Sequence, residues 1–130
     1  MTSAEKLVLV VEDDASIREV ISDVLQDKGY RVLPAANGAD ALRLLETDLP
    51  DVVALDLLMP VMHGWAFMEM YLEKTGGAPI PIVVVSVNPA LPRSYARFGV
   101  REVVSKPFDV DDLLQAVEHA APPGRCEEVA

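Results

Sequence analysis

The stretch LVLVVEDD, residues 7–14, determines how the chain begins to fold. Its first five residues, Leu7–Val11, are all apolar, which is typical of a central strand covered on both faces of a parallel sheet. Asp14 stands at a favoured helix N-cap position, and apolar residues then recur at helical spacing. These apolar residues are Ile17, Val20, Ile21, Val24 and Leu25. The stretch therefore predicts a strand and a helix, with Glu12 and Asp13 between them.

The same alternation of a short apolar run and an amphipathic stretch repeats along the chain. Further strands are predicted at 30–35, 52–55, 82–85 and 103–104, and helices at 37–47, 64–75 and from Asp109 onward. Pro34 places the second strand at an edge of the sheet, and Pro89 and Pro92 leave at most a short helix before Gly99. The alternation predicts an α/β fold, in which a parallel sheet carries helices on both faces.

Length and composition exclude several classes of protein. The chain has 130 residues, 51% hydrophobic and 25% charged, which fits one globular domain. Its formal charge of −10 predicts no nucleic-acid or membrane partner. Cys126 is the only cysteine, so an internal disulfide is excluded. The chain has no apolar run that could span a membrane and no signal peptide at Met1, so a cytoplasmic location is expected.

Candidate binding residues follow the carboxyl ends of the predicted strands. In an open parallel sheet, ligands bind outside these ends, at the point where the strand order reverses. The polar residues found there are Glu12, Asp13, Asp14, Asp56, Ser86, Ser105 and Lys106. Because they follow four of the five strands, they are expected to surround one site.

The acidic residues of this set predict a divalent cation site. Carboxylates that lie a few ångströms apart repel one another unless a cation lies among them, and a small set of oxygen ligands favours Mg²⁺. Helix capping is the alternative interpretation, and it is favoured for Asp14 because helix N-termini stabilise acidic groups. Capping does not account for Asp56, which ends a buried strand without a helix directly after it. Glu12, Asp13 and Asp56 are therefore the candidate ligands.

Lys106 is predicted to lie against these acids. It precedes Pro107, which favours an extended conformation for the lysine and prevents a helix there. Its ammonium group would balance the carboxylates and attract a transferred phosphoryl group; the alternative is a solvated lysine on a turn. Ser86 adds a hydroxyl that can donate to a phosphoryl oxygen, which is a weak indication by itself.

Residues 5–121 resemble the receiver domain of two-component response regulators, in its single-domain, chemotaxis-regulator-like type. The motifs that carry the resemblance are Val10-Val11-Glu12-Asp13, Asp56-Leu57-Leu58-Met59-Pro60 with Gly64, Ser86, and Lys106-Pro107-Phe108. The resemblance implies a flavodoxin-like, doubly wound (βα)5 fold whose five-stranded parallel sheet has the order 2-1-3-4-5. It also implies a cis peptide bond between Lys106 and Pro107.

The resemblance further implies roles for the matched residues. Asp56 would be the phosphoacceptor, and Ser86 and Lys106 would contact the phosphoryl group. Glu12, Asp13, Asp56 and the backbone carbonyl of Leu58 would hold Mg²⁺ or Mn²⁺. The donor would be a phosphohistidine on a sensor histidine kinase or a histidine phosphotransfer protein. The chain would be a signalling switch rather than an enzyme, since it would catalyse only its own phosphotransfer and slow autodephosphorylation.

Two residues depart from the family pattern. Val103 stands three residues before Lys106, where the family often has Tyr or Phe as the ring of its conformational switch. Val87 follows Ser86, where Ala or Gly is usual, and would either narrow the access to Asp56 or only pack under the following loop. An atypical output face is therefore expected.

The sequence leaves two classes of function open. The first is a phosphoacceptor receiver that acts alone on an unidentified downstream protein, with residues 122–130 as a flexible tail and no output domain. The alternative is a receiver-like interaction module that works without phosphorylation, which Val87 and Val103 favour. The complete set of acids with Lys106 favours the first class. A phosphohydrolase that uses an aspartyl phosphate would need a second Asp where Leu58 stands.

Overall fold

A computed structural model of the protein describes residues 6–56, 64–74, 80–87 and 99–121. The strands are β1 Leu7–Val11, β2 Arg31–Ala35, β3 Val52–Leu55, β4 Ile82–Ser86 and β5 Val100–Ser105. The helices are α1 Ala15–Asp27, α2 Gly38–Leu44, α3 Gly64–Lys74 and α4 Val110–Ala120. All five strands are parallel and lie in the order β2-β1-β3-β4-β5. The predicted flavodoxin-like sheet order and the edge position of β2 are confirmed.

The hydrophobic core lies on both faces of this sheet. All five residues of β1 are buried, as the uninterrupted apolar run predicts. Leu9 and Val11 belong to the cluster under α2 and α3, whereas Val8 and Val10 belong to the cluster under α1 and α4. Successive strand residues point to opposite faces of a sheet, so β1 supports both layers at once.

The register of the sheet aligns the carboxyl ends of its inner strands. Val11 lies beside Leu55 in the β1–β3 pair, and Ser86 lies beside Ser105 in the β4–β5 pair. Residues that directly follow these strands therefore share one edge of the sheet. None of the helices within the described ranges is long and apolar enough to cross a bilayer.

Apart from shifts of one residue at element ends, the observed elements differ from the predicted ones at three places. The second helix was predicted at 37–47, but α2 ends at Leu44. The fifth strand was predicted only at 103–104, but β5 begins at Val100. It lies at the sheet edge and alternates partly buried residues with exposed ones, so it lacks an apolar run. Val20 was predicted on the buried face of α1, but it is exposed. The possible helix before Gly99 and the predicted tail at 122–130 lie outside the described residues.

The hydroxyl of Tyr71 fastens α3 to the start of β4. It donates a hydrogen bond to the Ile80 carbonyl at 2.7 Å and accepts one from the Ile80 N–H at 2.5 Å. Its ring is fully buried and stacks on Phe67 at a centroid distance of 5.6 Å. Burial raises the pKa of the Tyr71 hydroxyl well above its usual range, so the hydroxyl remains a donor at any physiological pH.

The variant Tyr71→Phe is expected to lower the free energy of unfolding by about 2–3 kcal/mol, because it leaves two buried backbone groups without a partner. Chemical denaturation would measure this loss. Tyr30→Phe is the matched control, since the half-buried Tyr30 makes no hydrogen bond through its hydroxyl to any other described residue. Equal losses in the two variants would contradict the assigned role of the Tyr71 hydroxyl.

Candidate functional site

The backbone ladder of the sheet continues for one residue past three strands. The Glu12 N–H donates to the Ala35 carbonyl at 3.0 Å, and the Asp56 N–H donates to the Val11 carbonyl at 3.0 Å. The Lys106 N–H donates to the Ser86 carbonyl at 2.9 Å. These bonds fix the backbone of the three residues, so their side chains leave the sheet edge from rigid positions.

Three carboxylates converge at this edge. Glu12, Asp13 and Asp56 each place one carboxylate oxygen within 4.8 Å of the other two. Glu12 and Asp56 are buried, with 1% and 5% of their surface exposed, while Asp13 is exposed. The cluster is therefore closed on the protein side and open to solvent at Asp13, which would allow a hydrated cation to enter.

Lys106 lies within the same cluster, as the sequence predicted. Its Nζ is 2.6 Å from Glu12 Oε1 and 3.4 Å from Asp56 Oδ2. The side chain is 12% exposed, which is incompatible with the alternative of a solvated lysine on a turn. The predicted cis peptide bond between Lys106 and Pro107 is also present.

The electrostatics of the cluster favour an additional positive charge. Burial raises the pKa of Glu12, the Asp56 charge raises it further, and hydrogen bonds from Lys106 and from the Asp14 N–H offset only part of the increase. Burial alone would lower the pKa of Lys106, but the hydrogen bond and charge of Glu12, together with Asp56, outweigh it and raise the pKa. Among the described residues, three carboxylates thus face one protonated ammonium group. The donor set fits a hard divalent cation, which prefers carboxylate oxygens.

Asp14 has the capping role that the sequence favoured. Its Oδ1 accepts a hydrogen bond from the Ile17 N–H at 3.0 Å at the start of α1. Its own N–H donates to Glu12 Oε2 at 3.1 Å. Asp14 therefore holds the helix and the loop together, and its carboxylate is engaged away from the cluster.

The structure describes three of the four remaining predicted site residues. Ser86 ends β4 and is buried, whereas Leu58, the predicted carbonyl ligand, lies outside the described residues. Val87 is 62% exposed, and the loop that follows it lies outside the described residues, so both interpretations of this valine stay open. Val103 is 43% exposed on β5, so the position often occupied by an aromatic ring in the family carries a small exposed side chain.

Sequence reasoning missed one residue that contacts this site. The Arg18 Nη1 donates to the Glu12 carbonyl at 2.8 Å. Arg18 follows the capping Asp14 by four residues, which places its side chain over the loop that precedes α1. The four-residue spacing between Asp14 and Arg18 is the sequence feature that could have predicted this contact.

Removing one charge from the cluster is expected to stabilise the metal-free protein. Asp56→Asn should raise the free energy of unfolding by about 1–2 kcal/mol, since it removes a buried like charge beside Glu12. Asp13→Asn should also raise it, but by less, because Asp13 is exposed and solvent screens its charge. Adding Mg²⁺ should stabilise the unmodified protein more than either variant, because a ligand that binds the native state stabilises it by mass action.

Thermal unfolding with a chelator and with Mg²⁺ would measure these effects. Asp23→Asn, at an exposed position of α1, is the control. It should change neither the melting temperature with the chelator nor the one with Mg²⁺. Melting temperatures that respond to neither the metal nor the cluster substitutions would contradict the repulsion among these carboxylates.

Comparison with known proteins gives a consistent result. The profile of the response regulator receiver domain matches residues 8–118. The transcriptional regulatory protein DltR of Streptococcus agalactiae is 35% identical over 114 residues, which cover 84% of this chain and 49% of that protein. A 14.6 kDa protein from the sodA1 3′ region of Leptolyngbya boryana is 32% identical over 119 residues, 90% of this chain and 91% of that one.

A solved structure extends the similarity to three dimensions. The chemotaxis protein CheY4 of Vibrio cholerae is similar with a TM-score of 0.81 and 32% identity, over 90% of this chain and 99% of that chain. Some curated relatives are much longer than this chain. It spans 49% of DltR and 24% of the DNA-binding transcriptional regulator NtrC of Escherichia coli.

Proposed function

The chain belongs to the response regulator receiver domain family, and from this membership we propose that Asp56 accepts a phosphoryl group from a phosphohistidine in a Mg²⁺-dependent reaction. Receiver domains are the signalling switches of two-component systems. The observation that supports the proposal most strongly is the convergence of Glu12, Asp13 and Asp56 within 4.8 Å, with Lys106 bridging the two buried acids.

The proposed cation ligands are Glu12, Asp13, Asp56 and the Leu58 carbonyl, with Mg²⁺ or Mn²⁺ as the ion. When bound, the ion supplies positive charge to the oxygens of the transferred group. The side chains of Glu12 and Lys106 are held by the hydrogen bond between them, and Asp56 is held through its backbone by Val11. This arrangement orients the cluster before a donor arrives.

Asp56 is the proposed nucleophile. One of its carboxylate oxygens forms a bond to phosphorus while the bond from phosphorus to the histidine nitrogen breaks, and the nitrogen keeps that electron pair. Lys106, 3.4 Å from Asp56 Oδ2, would balance the charge that the acceptor gains. Ser86 would donate its hydroxyl hydrogen to a phosphoryl oxygen. The buried position of Asp56 would limit attack by water on the aspartyl phosphate.

The donor would be a sensor histidine kinase or a histidine phosphotransfer protein, acting in the cytoplasm, and the recipient of the signal a downstream protein. Residues 5–121 are the proposed receiver unit, a range that contains the matched residues 8–118. The exposed Val87 and Val103 would give this unit an atypical output face. The chain would act as a switch that catalyses its own phosphorylation and slow dephosphorylation, without turning over another substrate.

An interaction module that works without phosphorylation is the alternative, and the geometry does not favour it. Such a module has no need for two buried carboxylates beside a lysine, since buried charges are costly unless they are paired. Uncharged residues at these positions would serve the fold equally well. The retained cluster therefore supports phosphoryl chemistry.

Incubation with a small phosphoramidate donor and Mg²⁺, followed by intact mass measurement, tests the proposal. We expect one phosphoryl adduct with Mg²⁺ and none when a chelator replaces the metal. If neither the small donor nor a phosphohistidine protein gave an adduct, the interaction module would become the better account.

A further inference from the structure

Arg18 connects α1 to the loop that carries the acidic cluster. Its guanidinium donates through Nη1 to the Glu12 carbonyl at 2.8 Å, and the hydrogen bond is partly buried. Arg18 also belongs to the hydrogen-bonded first turn of α1, where its N–H donates to the Asp14 carbonyl at 2.8 Å. The side chain therefore ties a rigid helix to the peptide group that joins Glu12 to Asp13.

The two peptide groups that flank Asp13 are both held by side chains. Arg18 holds the carbonyl before Asp13, and Glu12 Oε2 accepts the N–H that follows it, from Asp14, at 3.1 Å. The side chain of Asp13 is exposed and accepts no hydrogen bond among the described residues. The direction of its carboxylate therefore depends on the backbone, which these two hydrogen bonds fix.

We propose that Arg18 is a positioning residue for the cation site, since its hydrogen bond to the Glu12 carbonyl orients the Asp13 carboxylate toward Glu12 and Asp56. This inference rests on the proposed function, because it concerns the ligands of that cation. A planar guanidinium suits the task, since it stays protonated and donates from a fixed geometry. Without it, the peptide between Glu12 and Asp13 would lose the hydrogen bond to its carbonyl, and the Asp13 carboxylate would be held less firmly toward the cluster.

The sign of the expected change separates positioning from simple electrostatics. Arg18 carries a positive charge near a site for a cation, so by charge alone its removal would strengthen cation binding. If Arg18 positions Asp13, its removal should instead weaken cation binding, because the Asp13 carboxylate would be displaced from the cation site. A structural role without positioning would lower the stability of the metal-free protein and leave the affinity for Mg²⁺ unchanged.

Arg43 provides a matched control for the loss of charge. It lines the same cavity of about 500 Å³ as Arg18. Arg43 pairs with Asp40 at 2.6 Å on the surface of α2, and makes no hydrogen bond to the acidic loop within the described part of the chain. Substitution of Arg43 removes a positive charge from the same cavity and leaves the hydrogen bond from Arg18 to the Glu12 carbonyl in place.

Calorimetric titration of the metal-free protein with Mg²⁺ tests the inference. Arg18→Met should weaken the affinity about tenfold, as is typical when an outer partner of a metal ligand is lost, while Arg43→Met should bind as well as the unmodified protein or slightly better. Arg18→Lys keeps the positive charge and a hydrogen-bond donor group but not the planar guanidinium, so its Mg²⁺ affinity should lie between those of the two methionine variants. The amide resonances of Asp13 and Asp14 should shift in Arg18→Met and not in Arg43→Met.

Unchanged Mg²⁺ affinity in Arg18→Met, or an equal loss in Arg43→Met, would overturn the inference and leave the proposed function standing. Absence of Mg²⁺ binding by the unmodified protein would overturn the proposed function together with the inference. If Arg18→Met did not fold, the Mg²⁺ affinity of Arg18→Lys would decide. An affinity equal to that of the unmodified protein would overturn the role assigned to the Arg18 guanidinium, and a weaker one would support it.

Discussion

Asp56→Asn is expected to abolish the phosphoryl adduct on this protein. The substitution preserves the size of the side chain but replaces the nucleophilic carboxylate by an amide, which does not form an aspartyl phosphate. The expected result is complete loss of the adduct in the presence of Mg²⁺ and a small phosphoramidate donor. Intact mass measurement on the same preparation would record it.

The stability of Asp56→Asn makes this result interpretable. In metal-free buffer, the variant is expected to be more stable than the unmodified protein. Loss of the adduct would therefore not reflect unfolding. Asp23→Asn, at an exposed position of α1, should keep the adduct in full. An undiminished adduct in Asp56→Asn would assign the phosphoryl group to another residue and contradict the proposed mechanism.

Lys106→Met is expected to cause the largest loss of stability among the site variants. It removes the ammonium group that lies 2.6 Å from Glu12 and 3.4 Å from Asp56 and leaves both buried carboxylates without that partner. Breaking a buried ion pair from one side costs about 3–5 kcal/mol, and the opening of the cluster at Asp13 points to the lower end of that range. Chemical denaturation in metal-free buffer at neutral pH would measure the loss.

The same variant is expected to slow phosphoryl transfer about 100-fold, the effect typical of removing one preorganised charge partner. Lys74→Met is the control, because the Lys74–Glu46 pair is 3.5 Å long and exposed, and such pairs contribute about 1 kcal/mol or less. Mg²⁺ should restore part of the stability of Lys106→Met, since it would supply the missing positive charge. Equal losses in the two lysine variants would show that Lys106 does not balance the cluster.

Much of the fold follows from local sequence patterns. Uninterrupted apolar runs predicted β1 and β3 at their observed bounds, because a strand covered on both faces has no polar side. The capping position of Asp14 was also predicted, and its side chain accepts a hydrogen bond from the Ile17 N–H at the start of α1. The convergence of the acids followed from topology, because the ends of parallel strands meet at one edge.

Other features depend on contacts that no local pattern contains. The edge strand β5 carries Arg101 and Glu102 among its valines, so its apolar run covers only residues 103–104. The hydrogen bonds between Tyr71 and Ile80 join residues whose pairing is fixed by tertiary packing. Arg18 was overlooked because an arginine on a helix is usually a solvated residue, and its acceptor is a backbone carbonyl that the sequence does not display.

Mapping of the phosphoryl group is the most direct test of the central claim, that three converging carboxylates form a cation-dependent phosphoacceptor site. Borohydride reduction converts an aspartyl phosphate to homoserine, which peptide mass spectrometry then locates. We predict conversion at Asp56 alone when Mg²⁺ is present, and no conversion when a chelator is added before the donor. Conversion at another residue, or equal conversion at Asp56 without the metal, would contradict the account.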